Sequence, residues 1–192
     1  MFRGRATAMS KIIASVSRRF SQLAAGGASL SMSLLFLIVF VNSLRRYAIG
    51  KSLEWGEELP VFIAIYGVMF GVAWAYLQDR HIRFTMLVHF LSESMTRKLY
   101  ILVDLIMVLN GIMLTYSGWM FVIKRGRLES PGIINLAKWL KALTGWDGMI
   151  WIGHMYPYQA AIVVGGVTLT IAALLKLVMR LTEKPTTETT GG

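Results

Sequence analysis

Cysteine is absent from these 192 residues. With it go any disulfide framework, thiolate metal site, iron–sulfur cluster and cysteine nucleophile. Charge is scarce as well, at 16% of positions, and acids are half as numerous as bases, ten Asp+Glu against twenty Lys+Arg. The chain has no HExxH pair, no phosphate-cradling glycine loop and no GxSxG elbow, so nothing in it points to an enzyme. No internal repeat is present, which gives no support to an inverted-repeat transporter core. What fills the chain instead is apolar: 55% hydrophobic residues and a mean hydropathy of +0.57, too apolar for an ordinary soluble domain and suited to a membrane protein. The formal charge of +10 does not indicate nucleic acid. The basic residues flank apolar segments rather than forming a stripe on a soluble face, and contact with anionic lipid headgroups explains them better.

A helix needs about 20 apolar residues to cross the ~30 Å hydrocarbon core with its backbone satisfied internally. Four stretches qualify. Arg19 and Arg45 enclose 25 uncharged residues, Glu58 and Asp79 enclose 20, Leu99–Ile123 covers 25 interrupted only by Asp104, and Gly148–Leu175 covers 28. Pro157 suits the first turn of a helix and sets the start of the fourth span. The spans are expected near 22–45, 58–78, 98–123 and 156–179, an all-α integral membrane protein. The first run is too long for a signal-peptide core and has polar Asn42 and Ser43 followed by arginines beyond it, so it is expected to remain as a mature helix. Twelve Lys+Arg fall on the side of both termini and the second loop, and eight on the other side. The positive-inside rule then puts both termini in the cytoplasm.

Two segments outside the spans have their own pattern. Residues 9–20 place Ile12, Ile13, Val16 and Phe20 at helical spacing among basic and polar residues, the signature of a short interfacial helix. Residues 133–143 repeat the pattern in the third loop: Ile133, Ile134, Leu136, Ala137, Leu140 and Leu143 share a face, Lys138 and Lys141 point away, and Trp139 and Trp146 are natural headgroup-level anchors. The polar tail 182–192 is expected to be disordered.

Few residues are candidates for chemistry. His81 and His89 lie in or near the second loop and His154 before the fourth span, so the topology separates them by the membrane thickness and disfavours a shared haem or metal. Asp104 is the only acid within a span, about 9 Å of helical rise from Lys98. It is either a structural ion pair, with Arg97, Arg83 or a basic residue of a partner, or part of a proton or ion relay. Gly67 and Gly71, followed by Ala75, form a small-residue stripe that admits a close helix, from this chain or another. Glu57 and Glu58 suit the positive N-terminal end of the second span. Arg45 and Arg46 close the first span one short loop away, which suggests an Arg45/Arg46–Glu57/Glu58 network with Trp55 at headgroup depth.

Together these residues resemble a known family, the small four-helix membrane (Q) subunit of tripartite ATP-independent periplasmic (TRAP) transporters, the DctQ-like proteins. The resemblance is carried by Arg46-Tyr47, by Ser52-Leu53-Glu54-Trp55-Gly56-Glu57-Glu58-Leu59, by Gly71, and by His81-Ile82 about twenty residues beyond the W-x-E-E-L. Weaker echoes are Ser130-Pro131, Trp151 and Tyr156-Pro157. Departures are Thr85, near the place of an Asp that often follows His-Ile, and Pro60-Val61, where an Arg frequently stands. By layout the resemblance covers roughly residues 20–180.

The resemblance implies an accessory, non-catalytic scaffold in the bacterial inner membrane. Its partners would be a large elevator-type TRAP membrane subunit, a periplasmic substrate-binding protein that docks transiently, and membrane lipids. No cofactor is implied for this chain, and the sodium and organic-acid sites would lie in the large subunit. Trp55, Glu57, Glu58 and the arginines would hold a periplasmic corner, while Gly67, Gly71 and Asp104 would meet helices of the large subunit or of this chain. The alternatives are a haem- or quinone-binding membrane anchor of a respiratory enzyme, and a self-contained small exporter with Asp104 as its essential carboxylate.

Overall fold

The computed structural model describes residues 2–78 and 92–182. It is helical almost throughout: α1 Phe2–Ile49, α2 Trp55–Leu77, α3 Glu93–Arg125, α4 Pro131–Thr144, a 3-10 helix Asp147–Gly153, and α5 Tyr156–Thr182. The described residues form no strand, only one antiparallel bridge between Glu129 and His154. Four helices, α1, α2, α3 and α5, are long and apolar enough to cross a membrane.

The long helices overrun the expected spans. At 1.5 Å per residue α1 is about 72 Å long, because no proline interrupts its 48 residues and the Gly26-Gly27 pair does not break it. Residues 9–20 are therefore continuous with the first span, a difference from the separate interfacial helix that their amphipathic pattern suggests. Helix α1 stops at Gly50, whose φ of +72° lies in the left-handed region and whose N–H reaches the Arg46 carbonyl at 3.0 Å. Nothing lies within 4 Å of where a Cβ would sit, so backbone conformation and not space is what favours glycine there. Helix α2 starts at Trp55, with Glu57 and Glu58 in its first turn and Pro60 inside. Helix α4 begins with Pro131 at its first position and is closed by Gly145 at φ +68°, the proline-first, glycine-last asymmetry of helix ends.

The spanning helices pack in the order α1, α2, α5, α3, with α1 also touching α5. Lipid tails are as apolar as leucine, so helices in a membrane associate through close packing rather than hydrophobic burial. The joints are accordingly made by small residues. Where α3 meets α5, a Cβ on Gly111 would lie 2.8 Å from the Thr170 backbone nitrogen, and one on Gly166 would lie 2.5 Å from that of Thr115. At the α1–α2 joint Gly67 lies against Ser31 and Met32. Ala73, Tyr76, Leu77, Ala172 and Ala173 form the core, flanked by Phe20, Met107, Val108 and Leu175, so all four spanning helices meet towards one end. Large side chains such as Phe36 and Leu109 stay exposed on the outside, as a lipid-facing surface requires.

Candidate functional site

The charged and polar side chains that join helices gather at the two ends of the bundle. At the core end, Asp104 of α3 is 1% exposed. An acid so deep needs both charge compensation and hydrogen bonds. The Tyr76 hydroxyl of α2 donates to its Oδ1, and Arg180 Nε of α5 lies 3.1 Å from its Oδ2. Arg180 also stacks its guanidinium over the Tyr100 ring, 4.4 Å from the centroid, and its carbonyl accepts from Arg97 at 3.2 Å. One carboxylate thus ties α2, α3 and α5. Arg180 is not among the cations proposed from the sequence; Arg97 donates to the Arg180 carbonyl, and Arg83 lies outside the described residues.

At the other end the joint is built around Glu58. The Ser130 hydroxyl donates to its Oε2, and the Gly132 N–H donates to the same oxygen at 3.2 Å. Ser130 is the extended residue before α4, and Gly132 is in its first turn. A carboxylate from the first turn of α2 therefore also satisfies the N-terminus of α4, placing negative charge at two positive helix ends. Glu54 accepts from Asn135 Nδ2 at 2.7 Å, and a Cβ on Gly132 would lie 2.5 Å from the Glu54 carbonyl oxygen, so α4 is seated on the start of α2. Asn42 Oδ1 near the end of α1 accepts from the Leu53 N–H at 2.7 Å and closes the α1–α2 turn. The Tyr66 hydroxyl of α2 donates to the Pro157 carbonyl of α5.

The anticipated Arg45/Arg46–Glu57/Glu58 network is not what the structure contains. Among the described residues no ion pair links these arginines to these glutamates. Arg45 is half-buried in the last turns of α1, Arg46 and Glu57 are exposed, and Trp55 is half-buried at the start of α2. Glu58 instead faces α4, and the partners missed were Ser130, Gly132 and Asn135. Ser130-Pro131 did carry a signal, since a serine before a proline is a helix start. Within the small-residue stripe, Gly67 serves the chain's own α1–α2 joint, whereas nothing lies within 4 Å of the Cβ position at Gly71. His81 and His89 lie outside the described residues. His154 sits beside Tyr156, with Nδ1 3.0 Å from the Ile150 carbonyl oxygen. Among the described residues no three His, Asp or Glu side chains gather as metal ligands.

The third loop also corrects the expected helix face. Ile133, Ile134 and Ala137 of α4 are buried against the rest of the protein, but Leu143 is 64% exposed and shares its outward edge with Trp139, 59% exposed. The 3-10 helix closes underneath: Gly153 packs on Ile134 and Ala137, Ser130 N–H donates to the Gly153 carbonyl at 3.0 Å, and Lys141 pairs with Asp147. Lys141 holds the Asp147 carboxyl below the usual carboxylate range, first by hydrogen bonding and then by its charge. Among the described residues this arrangement joins helices and assembles no nucleophile, base or oxyanion site.

Residues 35–183 match the family described as tripartite ATP-independent periplasmic transporters, DctQ component. The chain belongs to the DctQ family. It is therefore the small membrane component of a TRAP transporter, a multi-pass membrane protein and a transporter component rather than an enzyme. No curated protein matches the chain significantly. For a DctQ protein the placement of polar groups is instructive, because Glu58 and Ser130, both within residues that resemble the family, form one joint.

Proposed function

We propose that this chain is the bracing subunit of a sodium-coupled TRAP importer for an organic acid anion, set in the bacterial inner membrane with both termini in the cytoplasm. It packs on the static part of the large membrane subunit, which holds the substrate and sodium sites, and adds surface to which the periplasmic binding protein docks. The observation that carries this reading is the DctQ match joined to a bundle whose charged joints lie towards its ends, Asp104–Arg180 at one and Glu58–Ser130 at the other. Such joints fix the mutual positions of four helices and suit a rigid brace. The excess of Lys+Arg on the side of the termini supports the orientation.

The test is uptake into proteoliposomes. With the large subunit, the loaded binding protein and an inward sodium gradient, adding this chain should give organic-acid uptake that the large subunit lacks without it. Uptake by this chain alone would instead establish a self-contained transporter. A Soret band in its purified form would establish a haem-bearing anchor.

A further inference from the structure

Residues 124–155 fold into a cap over the ends of α2, α3 and α5. Its seating on the first turn of α2, through Glu58–Ser130, Glu58–Gly132 and Glu54–Asn135, holds α4 level with the end of a spanning helix. With α2 spanning a bilayer, that level corresponds to the headgroup region. The cap carries five cations and two acids. Lys141 and Asp147 pair with each other, while Lys124, Arg125, Arg127 and Lys138 remain exposed; with Glu54, Glu57 and Glu58 at the start of α2 included, the two loops at this end carry eight Lys+Arg against five acids.

The second observation is the outward edge of α4. Leu136, Trp139, Leu140 and Leu143 follow the i, i+3, i+4, i+7 spacing of one helical face, distinct from the buried Ile133, Ile134 and Ala137. Trp139 and Leu143 are exposed, and so are Trp146 and Trp151. Tryptophan favours headgroup depth, and an apolar edge next to an excess of positive charge complements a surface with anionic heads over apolar tails.

We propose that this cap is a binding site for anionic phospholipid. Lys124, Arg127 and Lys138 contact the phosphate-bearing headgroups, and Trp139, Leu143 and Trp146 enter the boundary with the acyl chains. The site should enrich anionic lipid around the third loop by about fivefold or more, since each of the three cations contributes an attraction worth about that factor at an anionic surface. This inference rests on the cap and the spanning helices, not on any substrate or partner subunit.

The absence of native cysteine allows a direct test. The full chain carrying Leu143→Cys or Trp139→Cys is labelled with a fluorophore and placed in phosphatidylcholine bilayers doped equally with nitroxide-labelled phosphatidylglycerol or nitroxide-labelled phosphatidylcholine. Quenching at both positions should be stronger with the anionic lipid, and high salt should remove the preference by screening. A Lys124→Gln, Arg127→Gln, Lys138→Gln variant should lose the preference while retaining helicity by circular dichroism. Equal quenching by the two headgroups would overturn the proposal, as would labels that neither lipid quenches, the result expected if a soluble protein or water covers this edge. A preference that survives both salt and the three substitutions would also overturn it.

Discussion

Asp104 and Glu58 perform the same task at opposite ends of the bundle by different physics. Asp104 is fully buried and relies on a cation and a phenol, Arg180 and Tyr76. Glu58 is half-buried and relies on a hydroxyl and a backbone N–H at a helix start, Ser130 and Gly132. Removing one partner of a buried ion pair strands charge in a low dielectric, whereas removing a half-buried cap leaves groups that water can reach. The Asp104 joint should therefore be the more fragile to single substitution, and the Glu58 joint the more tolerant.

The largest effect is expected at the buried pair. Asp104→Ala should lower stability by about 3–5 kcal/mol, read as a fall in thermal midpoint in detergent. The paired change Asp104→Leu with Arg180→Met should recover part of that loss, since apolar side chains can replace a buried ion pair. Retained uptake by the double variant in the assembled transporter would mark Asp104 as structural. Abolished uptake by a stable double variant would mark it as a relay, unlike Glu58.

Next comes the outer joint. Glu58→Ala should cost about 1.5–3 kcal/mol, the range for hydrogen bonds to a charged group, while Glu57→Ala, an exposed neighbour, should stay within about 0.5 kcal/mol. Protease nicking of the third loop should rise in the first variant and not in the second. Equal behaviour of the two would remove the distinction drawn between them. At the end of α1, Gly50→Ala should cost about 1–2 kcal/mol, because an alanine is strained in the left-handed region, again visible in the thermal midpoint.

The smallest effect is a pH dependence at the cap. Asp147 has a depressed pKa from Lys141, so its contribution is present above the ordinary carboxylate range and is lost as pH falls through the lowered folded value. Near-ultraviolet circular dichroism from neighbouring Trp146 should change only under strongly acid conditions. Asp147→Asn should remove that change.

The same two joints show what was legible in the sequence. Span number and type follow from apolar length, a property of contiguous residues, and four apolar helices are present. Asp104, Glu58 and the Gly67 stripe stood out because charge or small size in an apolar run is locally visible. Their partners were not visible, because Ser130 is 72 residues from Glu58 and Arg180 sits on another helix altogether. Which helices cross is a tertiary fact that no spacing rule contains. Nearness along the chain suggested Arg45 and Arg46 as partners of Glu57 and Glu58, yet the α1–α2 turn closes through Asn42 and Glu58 turns to α4. The continuity of α1 through residues 9–20 has a similar cause: amphipathic periodicity marks a surface, but only a breaker marks an end, and none is there. On α4 both a buried face and an outward apolar edge exist, and periodicity merged them by placing Leu143 with Ile133 and Ile134.

We propose that this DctQ protein acts as a brace and works only in a complex. Affinity purification of the tagged chain from its native membrane in mild detergent, with mass spectrometry of what accompanies it, tests this most directly. A stoichiometric large polytopic subunit should accompany it, recovered in smaller yield with Glu58→Ala. A chain that purifies alone, or with a haem-bearing oxidoreductase, would contradict this role.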